Sequence, residues 1–170
     1  MFDGFLRVAA ATPDIRVADC SFNGASAAAL VSEAYEQGVS LLVLPELCLT
    51  GYTCSDLFLQ ESLLDGAGKA LLTLTEATRD KNMVVLAGLP LTVNGVLYNV
   101  AAVLHDGDIL GFVPKSYLPT YSEFYEGRHY HSGADIEADV LFNGRTYPFG
   151  TRLLFRCRQM PAFTLGIEIC

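Results

Sequence analysis

Three residues that could perform acid–base and nucleophilic chemistry each stand just beyond a predicted β-strand. Glu46 and Lys115 each follow an apolar run and a proline, and Cys170 follows a third run of alternating apolar residues. Because α/β sheets bind their ligands at the ends of strands, we expect these side chains to meet at one sheet edge. Together they would supply a general base, a cation that stabilises an oxyanion, and a nucleophile.

Each of the three residues also has an ordinary structural interpretation. A free cysteine usually serves as a small buried apolar side chain, and a glutamate after a strand is usually solvated. From position alone, a structural role is therefore more common than a catalytic role for residues such as Cys170 and Glu46. Lys115 is more distinctive, because it is the one lysine of three that lies among aromatic and apolar residues. An ammonium in such surroundings pairs with a carboxylate or takes part in chemistry.

The composition is that of one acidic domain in a reducing compartment. The chain has 170 residues, 51% of them hydrophobic, and a net charge of −8. This charge disfavours nucleic acid and anionic membranes as partners. No apolar run is long enough for a membrane span, and the N-terminus lacks the features of a signal peptide. The five cysteines are irregularly spaced without a C-x-x-C pair, so we predict a cytoplasmic protein with no metal site and no disulfide framework.

The elements that must position these residues are predicted to form an α/β fold. Apolar runs and turn signals predict strands at Phe5–Ala10, Leu41–Leu44, Met83–Gly88, Leu97–Leu104, Ile109–Val113, Leu153–Phe155 and Phe163–Ile169. The last of these is expected to be buried. Turn compositions at His105–Asp108 and Asn143-Gly144 predict two hairpins. The segment Lys115–Gly133 has no clear period and is predicted to be an ordered loop.

Helices are predicted only in the first half of the chain. Small residues over 25–35 favour a helix packed closely on a sheet, with Asn23 as its N-cap and Gly38 beyond its end. Ser55 is predicted to cap a short helix that ends at Leu64, and a longer helix is expected over 68–79. This order of elements predicts a layered sheet with helices on one face and hairpin-paired later strands.

Three long motifs follow one another along the chain: Leu44–Tyr52, Pro114–Pro119 and Gly166–Cys170. In sequence and order they resemble those of the carbon–nitrogen hydrolase (nitrilase) superfamily. Within that superfamily, Thr50–Phe58 and Lys115–Arg128 resemble the N-terminal glutaminase domains of glutamine-dependent NAD synthetases. The intervals of 69 and 55 residues between the three candidate residues also suit those domains.

The resemblance implies a layered α-β-β-α architecture, of which residues 1–170 would be the N-terminal portion, and a Glu-Lys-Cys triad. Glu46 is then expected to accept the thiol proton and later to activate water. Cys170 is expected to attack the side-chain carbonyl of L-glutamine and form a thioester. Lys115 is expected to stabilise the tetrahedral oxyanion.

The resemblance assigns roles to three further residues. Tyr52 and Tyr121 are expected in the substrate pocket, and Glu126 is expected to support the lysine. The alternatives are ordinary packing of the tyrosines and a surface pair between Glu126 and Arg128. The two histidines of His129-Tyr-His131 lack a third ligand, so they are not expected to bind a metal.

The resemblance also implies partners outside the chain. Ammonia would pass to a C-terminal synthetase domain that uses ATP and magnesium to amidate nicotinic acid adenine dinucleotide to NAD. That ligase domain is expected to lie outside these 170 residues, and no cofactor is expected within them, because they contain no Gly-rich phosphate loop. The second half of the sandwich is likewise expected beyond Cys170. We therefore expect these residues alone to be inactive and to associate into homo-oligomers through an exposed apolar face.

Two other functions fit the same residues. One is a free-standing amidase of the nitrilase superfamily that hydrolyses another small amide. The other is a non-catalytic scaffold or interaction fragment. The substrate range distinguishes the amidase, and the reaction of Cys170 with a glutamine-mimicking electrophile distinguishes the scaffold.

Overall fold

The computed structural model describes residues 4–170, and its centre is a seven-stranded mixed sheet. In chain order its strands are β1 (Val8–Ala10), β2 (Leu41–Val43), β3 (Val84–Val93), β4 (Val96–His105), β5 (Asp108–Pro114), β6 (Glu137–Phe142) and β7 (Arg145–Gly150). Across the sheet they lie in the order β1-β2-β3-β4-β5-β7-β6. The pairs β1–β2, β2–β3 and β5–β7 are parallel, and the other neighbours are antiparallel. The predicted α/β class is confirmed.

Both predicted hairpins are present, at β4–β5 and at β6–β7. Each turn contains two successive residues with positive φ: Asp106 at 49° and Gly107 at 75°, and Asn143 at 47° and Gly144 at 75°. Turns of this kind match the twist of the flanking strands, and Asn, Asp and Gly adopt positive φ at low cost. Local turn chemistry therefore determines both connections.

Helix α1 spans Cys20–Glu36, and it begins earlier than predicted. Its N-cap is Asp19, whose carboxylate accepts a hydrogen bond from the Phe22 N–H at 3.0 Å. The prediction that Asn23 caps the helix is wrong: Asn23 is buried inside it and bonds to the main chain of Arg16. Both residue types are good caps, so the sequence did not distinguish them. Gly38, with φ of 72°, follows the helix end as predicted.

The next helical segment is divided differently from the prediction. A 3-10 helix covers Ser55–Leu59, and a single helix α2 covers Glu61–Ala77. Ser55 does not cap the first of these, because Cys54 is its N-cap. Gly24 of α1 permits close packing of the two helices, because a Cβ there would lie 3.0 Å from Ala70 Cβ of α2. No helix in residues 4–170 is long and apolar enough to cross a membrane.

The two faces of the sheet differ in what they carry. Helices α1 and α2 pack against one face, where alternate residues of β3 and β4 such as Val85, Leu89 and Val100 are fully buried. The intervening residues point to the opposite face and include Gly88 and Asn99. The chain that leaves β2 crosses this opposite face beside Gly88.

The last two strands do not join the main sheet. Strands β8 (Leu154–Arg156) and β9 (Thr164–Gly166) pair only with each other in an antiparallel two-stranded sheet. The prediction of a buried strand over 163–169 is wrong, since Thr164 and Gly166 are exposed and Leu165 is half-buried. A short alternating run shows that a strand can form but does not specify its partner.

Candidate active site

Lys115 lies between two carboxylates. Its Nζ is 2.8 Å from Glu46 Oε1 and 2.9 Å from Glu126 Oε1. Glu46 follows β2, Lys115 follows β5, and Glu126 opens the short helix α3 (Glu126–His129). The structure therefore brings two predicted strand-end residues and the predicted supporting glutamate into direct contact. Arg128, the alternative partner considered for Glu126, pairs with Asp56 instead.

The position of Glu46 depends on a glycine in the neighbouring strand. A Cβ at Gly88 would lie 2.3 Å from Leu47 N and 2.8 Å from Glu46 Cα, which no side chain tolerates. The Gly88 carbonyl accepts a hydrogen bond from the Leu49 N–H at 3.2 Å, so the glycine also holds this loop. Leu47 itself has φ of 53°. A bare backbone at Gly88 thus lets the carboxylate-bearing loop lie directly on the sheet.

The main chain of Lys115 is held on both sides. Its N–H donates to the Asn99 carbonyl at 2.8 Å, and its carbonyl accepts from the Gly133 N–H at 2.8 Å. Gly133 is again a close approach, because a Cβ there would lie 2.4 Å from Pro114 Cβ. The predicted loop over 115–133 is therefore anchored at both ends.

The two carboxylates determine the charge state of the buried ammonium. The side chain of Lys115 is only 3% exposed. Burial alone would lower the pKa of Lys115, but its hydrogen bonds to Glu46 and Glu126, together with their charges, outweigh burial and raise it. Lys115 is consequently a fixed positive charge, as oxyanion stabilisation requires.

The two tyrosines predicted for the substrate pocket have different surroundings. The Tyr52 hydroxyl donates to Glu126 Oε1 at 2.5 Å. Burial, and next the hydrogen bond to the Glu126 carboxylate, raise the pKa of the Tyr52 phenol well above its usual range, so it remains a donor. Tyr121 is 69% exposed and packs its ring edge against Phe124. Of the two tyrosines, only Tyr52 forms a hydrogen bond with the charged cluster in the described structure.

Asn99 of β4 is a site residue that the sequence reasoning missed. Its Nδ2 donates to Glu46 Oε1, the same oxygen that Lys115 contacts. The signal was present as a single amide within the apolar run Leu97–Leu104. A polar side chain in such a strand requires a partner, which the sequence alone did not identify.

Cys170 is not brought into this cluster. It is exposed and lies beyond β9 on the separate two-stranded sheet. Within residues 4–170, no hydrogen bond joins it to Glu46 or Lys115. The expectation that all three side chains meet at one edge of the main sheet is therefore met by Glu46 and Lys115 and not by Cys170.

A cavity of about 530 Å³ lies beside the charged cluster. Its lining includes Tyr52, Phe58, Glu126 and Tyr130. Two buried polar atoms of this lining, Glu126 Oε2 and the Tyr130 hydroxyl, have no hydrogen-bond partner in the described structure. Burial keeps the pKa of the Tyr130 phenol far above its usual range, so its hydroxyl stays protonated. Two polar groups, a carboxylate oxygen and a phenol, are therefore buried behind the lining of the cavity without a hydrogen-bond partner in the described structure.

The rim of the cavity is fixed by an ion-pair cluster. Asp56 accepts from Arg128 Nε at 2.8 Å and Nη2 at 2.9 Å, and it lies 3.1 Å from His129 Nε2. This cluster ties the 3-10 helix to α3, the helix that carries Glu126. His129 packs against Phe58 with ring centroids 5.7 Å apart. Within residues 4–170 there is no group of three or more His, Cys, Asp or Glu side chains arranged to hold a metal ion.

The fold and the carboxylate–lysine cluster are accompanied by a family match. The model of the carbon–nitrogen hydrolase family matches residues 7–170, and the chain belongs to that family. Among curated proteins, it is 43% identical to the glutamine-dependent NAD(+) synthetase of Mycobacterium tuberculosis strain H37Rv. That alignment covers 98% of this chain and 25% of the relative. The chain thus spans about a quarter of the length of such relatives.

Solved structures show the same fold. A glutamine-dependent NAD(+) synthetase from Cytophaga hutchinsonii superimposes with a TM-score of 0.84 at 28% identity, covering 90% of this chain and 26% of that one. An amidase of the nitrilase superfamily from Nesterenkonia AN1 superimposes with a TM-score of 0.63 at 24% identity, covering 84% and 54%. The second likeness concerns the fold alone.

Proposed function

We propose that this chain is the N-terminal part of a glutaminase domain that supplies ammonia to a synthetase in the whole protein. The observation that carries the proposal is the buried contact of Lys115 with Glu46 at 2.8 Å. It is supported by the 43% identity to a glutamine-dependent NAD(+) synthetase over nearly the whole chain. The expected substrate is L-glutamine, and the expected acceptor reaction is the amidation of nicotinic acid adenine dinucleotide to NAD.

The proposed reaction uses the three predicted residues in two steps. Glu46 takes the proton of the Cys170 thiol, and the sulfur attacks the side-chain carbonyl carbon of glutamine. The resulting oxyanion is stabilised by the Lys115 ammonium. When the C–N bond breaks, Glu46 returns the proton to the departing ammonia and a γ-glutamyl thioester remains.

The second step regenerates the enzyme. Glu46 takes a proton from water, and the hydroxide attacks the thioester carbonyl. Glutamate leaves when the C–S bond breaks, and the thiolate recovers the proton. Both steps require Cys170 to contact Glu46, and no hydrogen bond joins the exposed Cys170 to Glu46 within residues 4–170. We therefore propose that residues 1–170 alone do not hydrolyse glutamine.

The proposal extends to partners outside the chain. In the whole protein, a C-terminal synthetase domain would bind ATP and magnesium and consume the ammonia. The five free cysteines are consistent with a reducing, cytoplasmic location. Homo-oligomers are proposed because Val8 and Val43, on the face opposite the helices, are 60% and 39% exposed. Light scattering checks this assembly, and a monomer at high concentration contradicts it.

The test measures glutamate release from L-glutamine by the full-length protein. Glu46→Gln, Lys115→Met and Cys170→Ser should each reduce kcat/KM by about 1,000-fold or more, since each removes a group used in the transition state. Lys69→Met removes an exposed helical ammonium and should leave the rate unchanged. Near-normal turnover by Glu46→Gln contradicts the proposal.

A substrate panel and a labelling experiment separate the two alternatives. Turnover of small aliphatic amides in preference to glutamine would indicate a free-standing amidase. A glutamine-mimicking electrophile should modify Cys170 of the full-length protein, and a folded protein that resists it would indicate a scaffold.

A further inference from the structure

We propose that Asn99 is a positioning residue for the base: it fixes Glu46 Oε1 and leaves Oε2 as the oxygen that exchanges protons. The inference rests on the proposed function of Glu46 as the general base. It goes beyond that function by adding a fourth residue and by assigning the two carboxylate oxygens different tasks.

The hydrogen bonds of Glu46 are distributed unequally. Oε1 accepts from Lys115 Nζ at 2.8 Å and from Asn99 Nδ2. Within residues 4–170, no donor contacts Oε2, although Glu46 remains partly exposed. Two donors on one oxygen fix the plane of the carboxylate, and the second oxygen is left free to accept a proton from a thiol or a water.

Asn99 also contacts the residue that supplies the cation. Its main-chain carbonyl accepts the Lys115 N–H at 2.8 Å. One residue of β4 therefore holds the base through its side chain and the lysine through its backbone. The spacing between Glu46 and Lys115 is set by the sheet rather than by their two flexible side chains.

Packing does not explain an asparagine at this position. Asn99 is 1% exposed, and its Oδ1 is buried without a hydrogen-bond partner in the described structure. It pairs with Pro90 of β3 in the middle of the main sheet. A buried acceptor without a partner lowers stability, and a leucine of similar size would not incur that cost. The feature that explains an amide at this position is its hydrogen bond to Glu46.

The contact has one chemical consequence. Fixing Oε1 also fixes the direction of Oε2, and small errors in the position of a base reduce proton-transfer rates strongly. In the proposed reaction Oε2 takes the Cys170 proton and gives it to the departing ammonia, while Oε1 keeps its two donors throughout.

The first experiment is kinetic and uses Asn99→Leu in the full-length protein, with Asn99→Ala alongside in case the leucine overpacks. We expect kcat for glutamine hydrolysis to fall about 10- to 100-fold, because a hydrogen bond to a charged group is lost. KM should change little.

The second measurement does not depend on activity. The change in melting temperature produced by Asn99→Leu should be less favourable in the native background than in a Glu46→Met background, because only the native background loses a hydrogen bond to a carboxylate. If the native protein hydrolyses no glutamine, the proposed function fails and this measurement still tests Asn99.

The matched control is Asn23→Ala, which removes another buried asparagine. Asn23 bonds only to main-chain groups of Arg16 and Leu49 in the described structure. Its loss should lower the melting temperature without lowering kcat for glutamine hydrolysis. The proposal is overturned if Asn99→Leu keeps the native kcat, or if it changes the melting temperature equally in the native and Glu46→Met backgrounds.

Discussion

Gly88 lies directly against Glu46, so that a Cβ at position 88 would be 2.8 Å from Glu46 Cα. The carbonyl of the same glycine accepts the Leu49 N–H. A glycine in the middle of a ten-residue strand normally weakens the strand. Here it allows the loop that carries the carboxylate to rest on the sheet, and this close approach fixes where the carboxylate can reach.

Replacing Gly88 with Ala should displace Glu46. The added methyl group would lie 2.3 Å from Leu47 N, and the obstacle is backbone that cannot rotate away. We expect the free energy of unfolding to fall by about 2 kcal/mol, as for overpacked cores, and glutamine hydrolysis to fall about 100-fold. Denaturant unfolding and glutamate release measure the two effects.

The control for Gly88→Ala is Gly68→Ala in α2. A Cβ at Gly68 would meet only the Phe142 ring, at 3.5 Å, which is ordinary contact. This change should leave activity intact and raise stability by about 0.5 kcal/mol, because alanine favours helix. Equal effects of the two substitutions would show that the close approach at Gly88 is unimportant.

Removal of the Tyr52 hydroxyl tests the support of Glu126. Tyr52→Phe deletes the donor that lies 2.5 Å from Glu126 Oε1 and keeps the ring that packs near Phe124. We expect the free energy of unfolding to fall by about 1–2 kcal/mol, because a bond to a charged acceptor is lost. Thermal or denaturant unfolding measures the change.

Tyr121→Phe is the comparison for the Tyr52 variant. Its ring is exposed, and within the described residues its hydroxyl makes no side-chain hydrogen bond, so unfolding should change by less than about 0.5 kcal/mol. If glutamine hydrolysis nevertheless depends on Tyr121, that residue contacts substrate directly. Indistinguishable stabilities of the two variants would contradict the importance of the Tyr52 contact.

Local chemistry predicted much of the fold. The hairpin turn at Asn143-Gly144 and the stop at Gly38 follow from residues that adopt positive φ, and the structure has both. The central strands follow from continuous apolar runs. Failures occurred where two residues could do the same task, as with the N-caps Asp19 and Asn23. They also occurred where a strand needed a partner, as with β9.

The site was predictable only in part for a related reason. Glu46 and Lys115 could be identified from the sequence because each follows an apolar strand. In the structure Lys115 Nζ lies 2.8 Å from Glu46 Oε1. The role of Asn99 could be recognised only from the structure. Strand pairing places Asn99 opposite Pro90, and its side chain there reaches Glu46 in the loop after β2. Contacts that depend on register and on how a loop crosses the sheet are not encoded in local spacing.

The raised pKa of Lys115 makes stability depend on alkaline pH. Its folded pKa lies above the unfolded value, so its contribution is complete below the usual lysine pKa of about 10.4 and is lost as the pH rises through the folded pKa. Lys115→Met should lower the free energy of unfolding by about 3 kcal/mol at pH 8, since it leaves two carboxylates unpaired. The difference from the native protein should shrink above about pH 10.4.

Lys69→Met is the control for this alkaline effect, because Lys69 is exposed on α2. Its unfolding free energy should match that of the native protein from pH 8 to 11. Denaturant titrations at each pH provide the measurement. A difference between native protein and Lys115→Met that stays constant with pH would show that lost packing, and not charge, explains the variant.

Thiol labelling tests the positions of the five cysteines. Burial raises the pKa of Cys20 and of Cys48 to about 11, so few of these thiols are ionised near neutrality. Cys170 is exposed and Cys157 is half-buried. Because alkylation requires an accessible thiolate, iodoacetamide at pH 8 should modify Cys170 at least about 100-fold faster than Cys48.

Peptide mass spectrometry at timed intervals measures the labelling order, and denatured protein, in which all five cysteines should react, calibrates it. Native protein labelled at Cys48 as fast as at Cys170 would contradict the structure. Protection of Cys170 in the full-length protein, together with rapid labelling in the 170-residue chain, would indicate that the thiol becomes enclosed only in the complete domain. That outcome would account for an active whole protein and an inactive chain, because enclosure beside Glu46 is what the proposed reaction requires of Cys170.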